Sequence, residues 1–420
     1  MIVKPMIRNN ICLSAHPTGC AAETLRQIEY VKARKTRYEG LALPKAVLVI
    51  GASGGYGLAS RIAAAFGCGA ATVGMSLERE PSDSKTGTPG WYNNNAFDKA
   101  AEEAGLAHRT MNLDAFSKEA KAEAIRAARE MGIKYDLVIY SLASPVRTDP
   151  STGIMHRSVI KPIAQDFSGT TVDVFSGRLS EATVGPATEE ECRETVKVMG
   201  GEDWESWIQA LKEAGVLADR CRTVAYSYIG PKLSWPIYRD GTLGRAKADL
   251  DATAKRMTEQ MGPGTVPRVE AYVSVNKAVV TRASAVIPVI PLYVSVLFRV
   301  MKERRNHEDC IAQMDRLFRE RLCLVEGHPG RADQGAAPGT VPQALVSSAP
   351  PPTDDEGRIR MDDLEMSPGV QAEVEAAMAH ITPETLDRLA DLEGFRNDFL
   401  SAHGFAVPGV DYDAEVDPRA

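Results

Sequence analysis

Three sets of residues in this sequence could do chemistry together. The run Gly51-Ala-Ser-Gly-Gly55-Tyr-Gly57 has the spacing G-x-x-x-G-x-G. Glycines so placed let a turn close tightly and bring backbone N–H groups near a pyrophosphate, which is held best at the N-terminus of a following helix. Glu78 offers a carboxylate that could accept hydrogen bonds from adenosine ribose hydroxyls and would repel a 2′-phosphate, although Arg79 beside it could welcome that phosphate. Tyr238 and Lys247 offer a phenol and an amine, separated by eight residues. Nine steps of ~100° would set them on opposite sides of one continuous helix. They can cooperate only if Gly241 and Gly244 permit a loop carrying Tyr238, with a helix beginning around 242–245 and Lys247 in its first turns. On spacing alone, Tyr238 reads equally well as a core tyrosine and Lys247 as a solvated helix lysine.

The surrounding pattern supplies elements to position these groups. Residues 45–50 (KAVLVI) are a short apolar run that stops at Gly51, and 61–66 continue as a helix, so a buried parallel strand, tight turn and helix are predicted. Further strands are predicted at 70–77, 109–113 and 135–141, with an amphipathic helix at 118–131. Later strands fall at 223–228 and 271–275, and helices at 189–199, 204–214, 244–261 and 294–302. This alternation predicts an α/β fold with a Rossmann-type, doubly wound parallel sheet. Ligands of such sheets lie beyond the carboxyl ends of the strands. Asp114 after the third strand would suit an adenine amino group or a helix cap, and Leu142-Ala143 after the fourth would line the crevice or form a plain turn.

Composition sets the limits. The chain has 420 residues, 44% hydrophobic and 25% charged, enough for a full core. A net charge of −7 gives no field to attract phosphate polymers, so no nucleic-acid partner is expected. The seven cysteines are scattered without a C-x-x-C, and no signal peptide precedes them, which fits reduced cytoplasmic thiols and argues against structural zinc; no metal is expected. The most apolar stretch, 285–298, holds Pro288 and Pro291 and is shorter than the ~20 residues that span a bilayer. It suits a core helix or the lining of an acyl-chain channel. His16 and Cys20 have no companion ligands and read as a structural N-terminal turn, and Trp204 and Trp207 as core.

The glycine spacing is that of the short-chain dehydrogenase/reductase superfamily, but the usual Tyr-x-x-x-Lys pair of that superfamily has no convincing copy here. Instead HPTGC (16–20), GASGGYGLASRIAAAFG (51–67), GTPGWYN (87–93), YSLASPVR (140–147), VKVMGGEDWE (196–205), TVAYSYIG (223–230), WPIYRDGTLGRAK (235–247) and GRIRMDDLEM (357–366) resemble the FabV family of enoyl-[acyl-carrier-protein] reductases, also called trans-2-enoyl-CoA reductases. The Tyr-x8-Lys motif is the distinguishing mark. The resemblance implies NADH-dependent reduction of the double bond of a trans-2-enoyl thioester, carried by coenzyme A or acyl carrier protein, as the last reductive step of fatty-acid elongation. It implies Tyr238 as proton donor, Lys247 as a catalytic and cofactor-binding residue, and Tyr228 and Thr281 as substrate contacts. It places the cofactor at Gly51, Ala52, Ser53, Gly54, Gly55, Tyr56, Leu77, Glu78, Asp114, Ala115, Leu142, Ala143, Ala278, Val279 and Val280.

In that chemistry a hydroxyl donor stabilises charge arriving on the thioester oxygen, and either Tyr238 or Tyr228 could supply it. An ammonium at Lys247 would hold the nicotinamide ribose and lower the phenol's pKa from about 10. The expected organisation is one large domain over 1–326, including an N-terminal segment at 1–44 and a substrate-covering region. A flexible Pro/Gly/Ala-rich insertion is expected at 327–357 and a C-terminal helical extension at 358–420. A cytoplasmic monomer is expected. A ketone-reducing enzyme on the same fold, and a non-catalytic NAD(H)-binding redox sensor, are the competing readings.

Overall fold

An N-terminal hairpin, β1 (Ile7–Arg8) against β2 (Ile11–Cys12), leads into helix α1 (Pro17–Lys32). His16 caps that helix, its Nδ1 accepting from Gly19 N–H at 3.1 Å, and burial lowers the ring's pKa and so favours the neutral acceptor. The structural turn expected of His16 and Cys20 is therefore what forms. This computed structural model describes residues 1–8, 11–142, 144–281, 287, 289–325 and 349–419. The predicted insertion at 327–357 thus lies mostly outside the described residues, as do Ala143 and part of the 285–298 run.

Strands and helices then alternate: β3 (Ala46–Ile50), α2 (Gly55–Ile62), β4 (Ala71–Ser76), α3 (Pro89–Glu103), β5 (His108–Asn112), α4 (Lys118–Glu130) and β6 (Tyr135–Tyr140). Two hairpins that the sequence reading did not anticipate follow, β7 (Val146–Thr148) with β8 (Met155–Arg157), and β9 (Phe167–Asp173) with β10 (Arg178–Val184). Next come α5 (Glu189–Met199), α6 (Glu202–Glu213), β11 (Leu217–Ser227), α7 (Thr242–Met261), β12 (Arg268–Val275), α8 (Ile290–Glu303) and α9 (Cys310–Leu317). The chain ends with β13 (Ile359–Arg360), α10 (Pro368–Met378), α11 (Leu386–Leu389) and α12 (Leu392–Ser401).

Seven strands form one parallel sheet in the order β13-β12-β11-β6-β3-β4-β5. Every residue of β3 is buried, as a strand covered on both faces must be. One face packs against α4, α6 and α7 through residues such as Ala124, Trp207, Leu211 and Met257. The other packs against α1, α2 and α9 through Ile28, Leu58, Ile62 and Met314. Trp204 and Trp207 are fully buried core residues, as expected, and their indole N–H groups donate to Thr223 Oγ1 (2.8 Å) and Ala115 O (3.0 Å). The chain runs outward from β3 to β5 and then returns to β6 on the other side of β3. That reversal opens a crevice beyond the carboxyl ends of β3 and β6, where doubly wound sheets bind ligands.

A third apolar cluster lies outside the sheet sandwich. Helix α8 is almost wholly buried and is packed by α10, α12, Val172 of β9 and Val174 just beyond it, with Tyr228 and Tyr238 at the cluster's edge. The helix starts four residues before the predicted 294 because Pro291 occupies a first-turn position, where its missing N–H costs nothing.

Candidate active site

Gly51 follows β3 at φ 90° and Gly55 opens α2 at φ 52°, backbone that glycine alone adopts readily. Space forbids a side chain as well. A Cβ on Gly51 would lie 2.1 Å from Ser141 O, and one on Gly57 1.9 Å from Gly51 O. The turn is thus wedged between the ends of β3 and β6. Gly51 and Ala52 N–H both donate to Met75 O, at 2.8 and 2.9 Å. Gly54 at the N-cap of α2 has no side chain to cap the helix, so among the described residues the first-turn amides remain for an anion. A cradle that a single Cβ would fill, at the head of an uncapped helix, fits a dinucleotide pyrophosphate.

Glu78, just past β4, is only 7% exposed and is not a solvated strand end. Ser53 Oγ donates to its Oε1 at 2.6 Å, while Asn112 grips its backbone from β5 by a donor and an acceptor. The first turn of α3 closes over it, because a Cβ on Gly90 would sit 2.2 Å from Glu78 Oε1. Leu77 beside it is 69% exposed. Asp114 is exposed, and its Oδ1 accepts from Phe116 N–H at 3.0 Å in an Asx turn ahead of the α4 cap at Ser117. Ala115 is buried and Leu142 half-buried.

The far wall is the stretch after β12. Tyr56 of α2 donates its hydroxyl to Lys277 O at 2.5 Å, tying this stretch to the glycine turn. Ala278, Val279 and Val280 are buried there. Thr281, expected at the substrate edge, has its Cγ2 3.6 Å from the position of a Cβ on Gly55, so it faces the phosphate turn.

Tyr238 and Lys247 come to the end of one strand. Tyr238 sits in the turns of 235–240 and helix α7 starts at Thr242, as the two glycines required. The Tyr238 ring meets the Tyr228 ring edge-on, with centroids 5.1 Å apart, just past β11. Lys247 Nζ donates to Tyr226 O at 3.3 Å, on the last residues of the same strand. Burial lowers the Lys247 ammonium to about 8, and Asp251 one turn along opposes that shift.

The expectation that Lys247 depresses the Tyr238 phenol is corrected by the structure. Burial raises the Tyr238 pKa, and the negative field of Glu365 adds to the rise. The phenol therefore keeps its proton at neutral pH and stands as a donor.

Glu365 is the residue that sequence reasoning missed. It is fully buried and gathers three donors: Tyr228 and Tyr293 hydroxyls on Oε1 at 3.0 and 2.6 Å, and Ala278 N–H on Oε2 at 2.6 Å. Burial raises its pKa, and the Lys277 ammonium, itself 1% exposed, opposes the rise. Nothing marks a glutamate in MDDLEM as different from a solvated one. The available signal was the GRIRMDDLEM block itself, from which no residue was singled out.

A glycine turn at the switch point, with a phenol and an amine at the end of a neighbouring strand, puts the molecule in the Rossmann-type, dinucleotide-binding α/β class. Comparison with known proteins narrows that class. Family profiles described as "NAD(P)H binding domain of trans-2-enoyl-CoA reductase" and "Trans-2-enoyl-CoA reductase catalytic region" match residues 2–83 and 85–323. The chain belongs to the trans-2-enoyl-CoA reductase family. It is 54% identical over 419 residues, 99% of either chain, to the trans-2-enoyl-CoA reductase [NADH] of Treponema denticola. It is 49% identical over 418 residues, 99% of this chain and 98% of the other, to an enoyl-[acyl-carrier-protein] reductase [NADH] of Flavobacterium johnsoniae. A crystal structure of the Treponema denticola trans-2-enoyl-CoA reductase in complex with NAD superposes with a TM-score of 0.90, covering 99% of this chain and 98% of that one at 53% identity.

A third profile, "Enoyl reductase FAD binding domain", matches 353–416. In this chain that segment holds β13 and α10–α12, with Val370, Val374, Leu386, Phe395 and Phe399 spent on packing. No strand, glycine turn and helix follow one another there among the described residues, so the segment offers no second dinucleotide cradle of the kind that follows β3.

Proposed function

We propose that this protein reduces the carbon–carbon double bond of trans-2-enoyl thioesters with NADH, the last reductive step of acyl-chain elongation. The observation that carries the proposal is the neutral, proton-bearing Tyr238 phenol beside Tyr228, at the strand end that also holds Lys247. NADH, when bound, supplies a hydride to the β-carbon of the enoyl thioester. Tyr238 donates a hydrogen bond to the thioester oxygen as that atom takes up negative charge, and its proton completes the saturated acyl chain at the α-carbon. Lys247 holds the nicotinamide ribose hydroxyls. Gly51 to Tyr56 cradle the pyrophosphate, and Leu77, Glu78, Asp114 and Ala115 receive the adenosine. Leu142 and Ala278 to Val280 flank the nicotinamide; Ala143, expected to bind cofactor with Leu142, lies outside the described residues. Tyr228 borders the acyl thioester, and Thr281, facing the phosphate turn, stands on the cofactor side of the pocket edge.

The test is NADH consumption followed optically with crotonyl-CoA and, in parallel, acetoacetyl-CoA. Turnover of the crotonyl ester alone supports the proposal. Turnover of the keto ester instead makes the protein a carbonyl reductase, and NADH binding with no turnover of either leaves a redox sensor.

The same reading takes 1–326 as one catalytic unit, 327–357 as an insertion and 358–420 as an extension of that unit, since Glu365 reaches its centre. No described helix is long and apolar enough to cross a membrane. A monomer working in the cytoplasm on coenzyme A or carrier-protein esters completes the proposal; light scattering on the purified chain checks the mass.

A further inference from the structure

Two tyrosines of the same chemistry stand side by side past β11, yet their hydroxyls differ in what they can still give. A phenol has one proton to donate. Tyr228 spends its proton on Glu365 Oε1 at 3.0 Å, and Tyr293 presses a second hydroxyl onto the same oxygen at 2.6 Å. The Tyr238 hydroxyl, on a ring centred 5.1 Å from that of Tyr228, makes no hydrogen bond among the described residues. The other carboxylate oxygen is occupied by Ala278 N–H at 2.6 Å. Gln371 Nε2 donates to the backbone carbonyl of Glu365 at 2.8 Å and to the Tyr293 hydroxyl at 3.3 Å, which holds the Glu365 main chain and the second phenol against each other.

We infer that Glu365 is a positioning residue which assigns the donor role to Tyr238 by holding the proton of Tyr228. The inference rests on the reading of this site as an enoyl thioester reductase and goes beyond it, because it says why one tyrosine and not its neighbour delivers the proton. The carboxylate does a second thing at once. It ties the stretch that borders the nicotinamide to the tyrosine that borders the substrate, from a segment more than a hundred residues further along the chain than Tyr228.

Glu365→Gln separates these two roles. An amide has one acceptor oxygen and one donor NH2. Its oxygen must stay on the fixed Ala278 N–H, so its NH2 turns to the two hydroxyls, which then accept and release their own protons. Tyr228 becomes free to donate.

The experiment measures kcat for crotonyl-CoA reduction, and NADH affinity by fluorescence, in the whole protein and four variants: E365Q, Y238F, E365Q/Y238F and E365Q/Y238F/Y228F. Loss of one donor to a developing oxyanion costs about 10²–10³ in rate. If E365Q restores part of that loss, kcat of E365Q/Y238F exceeds that of Y238F by about tenfold or more, and the triple variant falls back to the Y238F value. Equal rates for Y238F and E365Q/Y238F overturn the inference, as does a gain that survives in the triple variant. Loss of NADH binding by E365Q also overturns it, since the amide keeps its oxygen on Ala278. If the unaltered protein does not reduce crotonyl-CoA, or Y238F leaves its rate unchanged, the reading of the site itself fails, which is a separate result.

Discussion

Ser53 Oγ donates a 2.6 Å hydrogen bond to Glu78 Oε1, joining the phosphate turn after β3 to the carboxylate after β4. The bond fixes the charge beneath the position expected of the adenosine ribose, and Gly90 leaves the room it needs. A phosphate at the 2′ position would meet that fixed negative charge at close range. At an effective dielectric near 20, two unit charges 4 Å apart repel by about 4 kcal/mol, so even a heavily relaxed site discriminates by tenfold or more. Glu78→Ala is therefore expected to raise the ratio of kcat/KM with NADPH to that with NADH by at least about tenfold. An unchanged ratio would show that Glu78 plays no part in the choice.

Tyr238 and Tyr228 are expected to respond differently to loss of the hydroxyl. Tyr238→Phe removes an uncommitted donor, so kcat should fall by about 10²–10³ while NADH affinity stays the same. Tyr228→Phe removes a hydroxyl already bonded to Glu365, so its effect should fall mainly on KM for the acyl ester. Steady-state kinetics on both variants decide it, and equal losses of kcat would contradict the division of roles.

Local pattern showed most of the frame. The glycine turn lies between β3 and α2 as read, and β4, β5, β6 and α4 fall within a residue or so of their predicted limits. The loop carrying Tyr238 and the helix carrying Lys247 followed from two glycines. Strand β11 begins six residues before the predicted 223, because Asp219 and Arg220 break the apolar run where the strand also shifts register against β6. The β9–β10 hairpin was missed because its exposed faces are polar and only Val172 of the two strands is fully buried, with Leu179 half-buried against the same cluster. Glu365 was out of reach for another reason. Its role comes from Tyr228, Ala278 and Tyr293, which lie 137, 87 and 72 positions away along the chain. No window on the sequence holds them together.

Lys247 gives a pH dependence with a definite sign. Its ammonium is lowered to about 8, so the charge that would hold the ribose hydroxyls is present below that pH and lost above it. NADH affinity should weaken as pH rises through about 8, and Lys247→Met should bind NADH weakly and without that step. Stability runs the other way. Between about 8 and the ordinary value of 10.5 the unfolded chain holds a proton that the folded chain has released, so this residue's contribution to stability improves as pH rises. Denaturant midpoints should accordingly show Lys247→Met stabilised relative to the unaltered protein at pH 7, the advantage shrinking toward pH 10. A constant difference would mean that Lys247 titrates alike in the folded and unfolded chain.

Gly244 is the point at which the turn and the helix touch. A Cβ there would lie 1.7 Å from Arg239 O and 2.9 Å from Tyr238 O. Both contacts are backbone, which cannot swing aside as a side chain can, so the added methyl must push the turns of 235–240 off α7. Overpacking of this kind costs about 1–3 kcal/mol. The displaced segment is the one that aims Tyr238, whereas Gly51, Glu78 and Tyr56 stand on other elements and keep their places. Gly244→Ala should therefore lower the unfolding free energy by that amount and depress kcat by tenfold or more, since a shift of about 1 Å at a reacting group can cost 10²-fold. NADH affinity should change far less. Calorimetry, kcat and fluorescence titration on the one variant test all three expectations, and a variant that lost NADH affinity in proportion to kcat would show that the turn supports the cofactor rather than the phenol.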